Sequence, residues 1–142
     1  NQAGDTLAKA NALLNRVELY ILMYDLEMAR ENCLNAMRTF HKLGQMFGQA
    51  DACKLMGVIY TKDEDWELAK KYFEESIEIS LDCDNLLGLA ECYQSYGDFY
   101  IEQKKHESAL EMLNKSVENF RLLKATRKAK QVEKKIKELA TS

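Results

Sequence analysis

LMGVIYTKDEDWELAKKYFEESIEIS, residues 55–80, is written again in altered words as SYGDFYIEQKKHESALEMLNKSVENF, residues 95–120. A shift of 40 residues lays Gly57 on Gly97, Tyr60 on Tyr100, Glu67 on Glu107, Ala69 on Ala109 and Ser76 on Ser116. The same shift backwards uncovers a fainter copy with Val17, Tyr20, Glu27, Ala29 and Ala36 in those columns. Ala10, Ala50 and Ala90 form a further column, and Met37, Ile77 and Val117 an apolar one. Self-similarity at one fixed period is the signature of a repeat architecture.

Each copy reads as two helices. Apolar residues recur at helical spacing through residues 51–61 and again through 66–81, as in Leu68, Tyr72, Phe73, Ile77 and Ile79. Between the two runs, TKDED supplies a polar turn in which Asp63 or Asp65 can cap the second helix and Glu67 favours the positive end of its dipole. The chain holds no proline and only six glycines, which suits helices joined by short turns. If the pair is antiparallel and folds near Asp63, Gly57 faces Ala69 and Tyr60 lies near Trp66. The same construction about Cys83 sets Ser76 against Ala90, and about Leu43 it sets Ala36 against Ala50. Small residues opposed across helices permit close approach, with Tyr60, Tyr72, Phe73 and Tyr100 filling the space beside them. Two helices alone cannot bury their apolar faces, so neighbouring copies must stack.

The junctions agree with this reading. Gly44 and the pair Asp84-Asn85 fall at the ends of second helices, where a left-handed exit is needed, and Gly48 and Gly88 open the helices that follow. Beyond Phe120, one apolar stripe of Val132, Ile136 and Leu139 runs along an otherwise charged segment, the pattern of a helix that closes the end of a stack. Residues 121–142 carry a balance of +6 and residues 1–120 a balance of −9, within a net charge of −3. A basic helix of this kind can attract nucleic acid or an anionic membrane, but it lacks interleaved aromatics for base stacking. A solvated cap drawn to an acidic neighbour is the favoured reading, and nucleic acid is disfavoured as a partner.

These motifs resemble the tetratricopeptide repeat family. In that family a small residue sits in the middle of the first helix, with a Tyr three places on. An Ala stands early in the second helix, an aromatic four places later and a small residue three beyond that. The second copy supplies Gly57, Tyr60, Ala69, Phe73 and Ser76; the third supplies Gly97, Tyr100, Ala109, Leu113 and Ser116; the first supplies Val17, Tyr20, Ala29, Cys33 and Ala36. The usual proline after the second helix is replaced by Leu81 and Arg121, and the period is 40 instead of 34. The six extra residues add about 9 Å of helix per unit, as in the long repeats of kinesin light chain, polarity adaptors and bacterial peptide-sensing regulators. The resemblance implies one all-α domain over residues 1–142, a right-handed α-solenoid of three antiparallel helix pairs at about 8–47, 48–87 and 88–124. A capping helix at about 125–140 brings the expected count to seven helices.

Chemistry is sparse. Cys33, Cys53, Cys83 and Cys92 form no C-x-x-C pair, and His41 and His106 stand at unrelated places, so they read as reduced thiols and surface imidazoles and call for no metal. No phosphate loop, nucleophile elbow or H-E-x-x-H helix is present, so the expectation is a protein without catalysis or cofactor. No apolar run reaches the roughly 20 residues of a membrane span, and no signal peptide is recognised, which points to the cytoplasm.

Function then falls to surface. The resemblance places the first helix of each unit on an inner face that binds peptides or partner helices. The family's inner-face columns transfer to Asn11, Leu14, Glu18, Ile21 and Leu22 in the first copy and to Asp51, Lys54, Val58, Thr61 and Lys62 in the second. In the third they fall on Glu91, Gln94, Asp98, Ile101 and Glu102. This face is apolar at one end and acidic at the other, so it suits a protein or peptide with a basic stretch and an apolar anchor. The rival readings are a solvated spacer and a regulatory or dimerising segment of a larger signalling protein, joined to a second copy through helix faces or ends. The first residue is Asn, not Met, which favours an excised piece.

Overall fold

The computed structural model describes residues 1–141. Among them run seven helices and no strand: α1 (Gln2–Leu22), α2 (Leu26–Leu43), α3 (Met46–Lys62), α4 (Trp66–Asp82), α5 (Leu86–Glu102), α6 (His106–Leu122) and α7 (Thr126–Thr141). The 40-residue register holds to the residue, since α5 begins and ends 40 positions after α3, and α6 does so after α4.

A finer rhythm of 20 residues lies beneath it. Tyr24, Gly44, Glu64, Asp84, Lys104 and Lys124 all take a left-handed backbone, with φ between 54° and 65°. At every one of these turns the next residue donates its N–H to a carbonyl five positions back. Asp25 bonds Tyr20 at 2.8 Å, Gln45 bonds Phe40 at 2.9 Å and Asp65 bonds Tyr60 at 2.9 Å; Asn85, Lys105 and Ala125 repeat the pattern. This is the Schellman closure of a helix C-terminus, and it satisfies carbonyls that would otherwise be orphaned. The donor residue then opens the following helix. The Asp65 carboxylate accepts from the Leu68 N–H at 3.3 Å, as Asp25 does from Met28, and Asn85 accepts from Gly88 at 2.9 Å. Of the two carboxylates proposed as cap, Asp65 is the one that serves.

Packing follows the columns. A Cβ on Gly57 would lie 2.6 Å from the Phe73 ring, and one on Gly97 2.6 Å from the Leu113 side chain, so only glycine lets α3 close on α4 and α5 on α6. The nearest neighbour of Gly57 is thus Phe73, one turn beyond the Ala69 that symmetry about Asp63 names. In the first unit the bulk is exchanged: Val17 replaces the glycine, the small Cys33 replaces the ring, and both are wholly buried. The Ser76 hydroxyl donates to the Ala50 carbonyl at 2.7 Å and Ser116 to Ala90 at 2.8 Å. The bond that marks Ser76 therefore lies inside its own unit, while thiols bridge between units, Cys33 to the Ala52 carbonyl at 3.2 Å and Cys92 to that of Phe73 at 3.4 Å.

The cores are shared between neighbours. One joins Val17 of α1, Cys33 and Phe40 of α2, and Met56 and Ile59 of α3; the next joins Phe73 of α4 with Tyr96 and Phe99 of α5. Phe73 stacks on Tyr96 at 5.2 Å, and Tyr96 on Tyr100 at 5.1 Å. The expected neighbours Tyr60 and Trp66 turn to different rings, Tyr60 to Tyr72 at 5.7 Å and Trp66 to Phe99 at 5.9 Å. A third core combines Leu113, Val117 and Phe120 of α6 with Ala129 and Val132 of α7, Ile136 and Leu139 packing alongside. Each unit thus completes its neighbour, which is the condition for a stack. The first helices pack side by side, α1 on α3 and α3 on α5, whereas the second helices make no comparable contact with one another. The first helices therefore line the inner side of an all-α solenoid.

Candidate interaction face

The inner side is built by α1, α3 and α5, and α7 reaches α5 through ion pairs of Lys128 and Lys135. Two depressions lie between α3 and α5. The first, of about 140 Å³, is lined by Phe47, Asp51 and Lys54 from α3 and by Asn85, Leu87 and Glu91 from the α5 end. The second, of about 160 Å³, lies between Val58, Thr61 and Lys62 on one side and Ser95, Asp98 and Glu102 on the other.

Eight of the fifteen residues expected on this face thus converge on one groove: Asp51, Lys54, Val58, Thr61, Lys62, Glu91, Asp98 and Glu102. Gln94 and Ile101 are half-buried on the same helix. The first copy contributes less. Asn11 and Glu18 are exposed and Leu22 is 84% exposed, but Leu14 is buried and Ile21 packs partly against the first core. The correction has a packing cause, because Leu14 lies on the α1 side that meets α2 and α3. Thr61 borders the second depression although little of it is exposed, and its hydroxyl is spent on the Gly57 carbonyl at 2.7 Å.

Lys54 is the electrostatic centre. Its side chain is only 13% exposed and its ammonium lies 3.0 Å from Asp51. Burial alone would lower its pKa, but the carboxylates of Asp51, Glu91 and Glu18 outweigh it and hold the group above the ordinary lysine value. A fixed cation therefore stands among acids contributed by α1, α3 and α5.

The acidic end is modified by α7. Lys135 sits 2.7 Å from Asp98, and Lys128 sits 3.9 Å from Glu91. The basic segment accordingly compensates the third copy in part, while Glu18 and Glu102 make no ion pair among the described residues. Sequence reasoning passed over two apolar members, Phe47 and Leu87, which are 58% and 42% exposed at the mouth of the first depression. The signal was available: they stand 40 residues apart, one helical turn before Asp51 and Glu91.

Nucleophilic and metal chemistry have little to work with here. Burial pushes the thiols of Cys33, Cys53 and Cys92 up to about 12, and no cluster among the described residues could hold a metal. No helix among the described residues is long and apolar enough to cross a membrane.

A tetratricopeptide repeat family model matches residues 50–121, the span of the two copies that keep the glycine column. No curated protein matches the chain.

Proposed function

Because the chain belongs to the tetratricopeptide repeat family, whose repeats mediate protein–protein interaction as non-catalytic scaffolds, we propose that the groove between α3 and α5 captures a segment of a partner protein. The observation that carries this reading is the pair of depressions, one edged by exposed apolar side chains and the other by carboxylates. Asp51 and Val58 are seven positions apart, about 10 Å along the helix, a distance that about three residues of extended chain span. An apolar anchor beside Phe47 and Leu87 followed closely by a basic stretch near Asp98 and Glu102 fits that spacing. Binding would place the partner's cation in competition with Lys135 for Asp98, so the affinity falls with salt.

Capture from a lysate of the source cells tests the reading. The double variants Phe47→Ala/Leu87→Ala and Asp98→Lys/Glu102→Lys lose the captured protein, while Lys70→Glu/Lys71→Glu on α4 keeps it. Capture that survives both groove variants and disappears with changes on the second helices or at the ends would overturn the proposal.

A further inference from the structure

Between α6 and α7 lies an open groove of about 520 Å³, lined by the apolar Val117, Leu122 and Ile136, with Glu118 on its α6 side and Lys137 on its α7 side. Leu122 is 66% exposed there. The register identifies this groove. Lys137 occupies the column of Gly57 and Gly97, on which α4 and α6 close. The groove thus lies on the side of α7 where second helices pack in the earlier units, and a lysine stands in the column held by Gly57, Gly97 and, in the first unit, Val17. Among the described residues the apolar lining is open to solvent.

Arg121 of α6 and Glu133 of α7 also line the groove and neutralise each other across it at 2.8 Å, which leaves acids on α6 and lysines on α7 to meet a partner. Glu111 and Glu118 stand seven residues apart on one face of α6, and Lys130 and Lys137 seven apart on one face of α7, about 10 Å in each case. Lys124, the left-handed residue of the turn, lies midway in sequence between Glu118 and Lys130 and also between Glu111 and Lys137. In an antiparallel pair, residues equidistant from the turn stand at equal height. Among the described residues of one chain Glu118, Lys130 and Lys137 form no ion pair, and Glu111 pairs with Lys115 of its own helix, at 3.6 Å.

We propose that this face is a self-association surface. A second copy, related by a twofold axis running along the α6–α7 pair, lays its α6 over α7 of the first and its α7 over α6. Glu118 and Glu111 of each copy then face Lys130 and Lys137 of the other, and the two Leu122 side chains are drawn from water. Symmetry makes every contact twice. Other occupants fit one side only. An acidic segment or a nucleic acid is repelled by Glu111 and Glu118, and a basic segment by the lysines. The surface lies away from the groove between α3 and α5, so its use is independent of partner capture there.

Sedimentation equilibrium of the chain from about 10 to 300 µM, in low and high salt, tests the proposal. A reversible dimer is expected, weakened severalfold by salt. Lys137→Glu weakens it by about tenfold or more, because the change enters twice. Adding Glu111→Lys to that variant exchanges the charges and restores dimerisation to within a few-fold of the original. Leu122→Glu removes the dimer while leaving the helical circular dichroism unchanged. A chain that stays monomeric at the highest concentration overturns the proposal. So does a dimer indifferent to Leu122→Glu and Lys137→Glu, or one that the charge exchange fails to restore.

Discussion

The ammonium of Lys135 stands 2.7 Å from the Asp98 carboxylate and ties α7 across the inner face to α5. Both side chains are partly exposed, so the pair is worth no more than about 1 kcal/mol. Lys135→Met is expected to lower stability by less than that in urea denaturation, the more so at low ionic strength. A loss of several kcal/mol would mean that α7 is held by its ion pairs more than by Ala129 and Val132.

Close approach of paired helices rests on glycine. Gly57→Ala is expected to cost about 1–3 kcal/mol, since the new methyl must displace the Phe73 ring from 2.6 Å. Gly97→Ala meets Leu113 at the same distance and should behave alike. Chemical denaturation of both variants checks the point, and neutral outcomes would show that the second helices have room to withdraw.

The turns make the opposite prediction. Glu64 and Lys104 hold a left-handed backbone that costs an ordinary residue about 1–2 kcal/mol, and glycine adopts it freely. Glu64→Gly and Lys104→Gly should each raise stability, by about 0.5–1 kcal/mol once the greater freedom of the unfolded chain is subtracted. Gly44→Ala should lower it. The midpoints of thermal unfolding decide.

Three buried thiols give a pH dependence. Cys33, Cys53 and Cys92 titrate at about 12 in the folded chain against 9.0 for a free thiol, because burial disfavours the thiolate. The stability they confer is complete below pH 9 and is lost as pH rises from there toward 12, since the unfolded chain releases its protons first. Replacing all three by Ala should flatten this alkaline loss. In the native chain at pH 8, a thiol reagent is expected to label the partly exposed Cys83 and to spare the other three.

Much of this was legible in the sequence, because the residues that define the columns are those whose size matters most. Gly57, Gly97, Ala69 and Ala109 mark close approach, and the stripe of Val132, Ile136 and Leu139 marks the side of α7 that packs on α6. The twenty-residue rhythm stayed hidden because, beside Gly44 and the Asp84-Asn85 pair, its other left-handed positions are Tyr24, Glu64, Lys104 and Lys124, which backbone hydrogen bonds hold there without glycine's signature. Val17 made the first copy look defective until Cys33 opposite it was seen to return the volume. On the inner face, Leu14 was misread because a column fixes direction only relative to the unit, and the end unit turns that side into its core. Phe47 and Leu87 were passed over because they stand one turn before the transferred columns. The hold of Lys128 and Lys135 on Glu91 and Asp98 depends on where α7 docks, a distance no spacing along the chain contains.

Hydrogen exchange on the whole chain, compared with a chain ending after residue 124, tests most directly the claim that each unit's core is completed by the next. Removing α7 uncovers Leu113, Val117 and Phe120 but leaves the core around Val17, Cys33 and Met56 untouched. The account predicts that amides of α5 and α6 lose protection while those of α1 to α3 keep most of theirs. An equal loss along the whole chain would contradict it, since that is the behaviour of helices gathered round one common core.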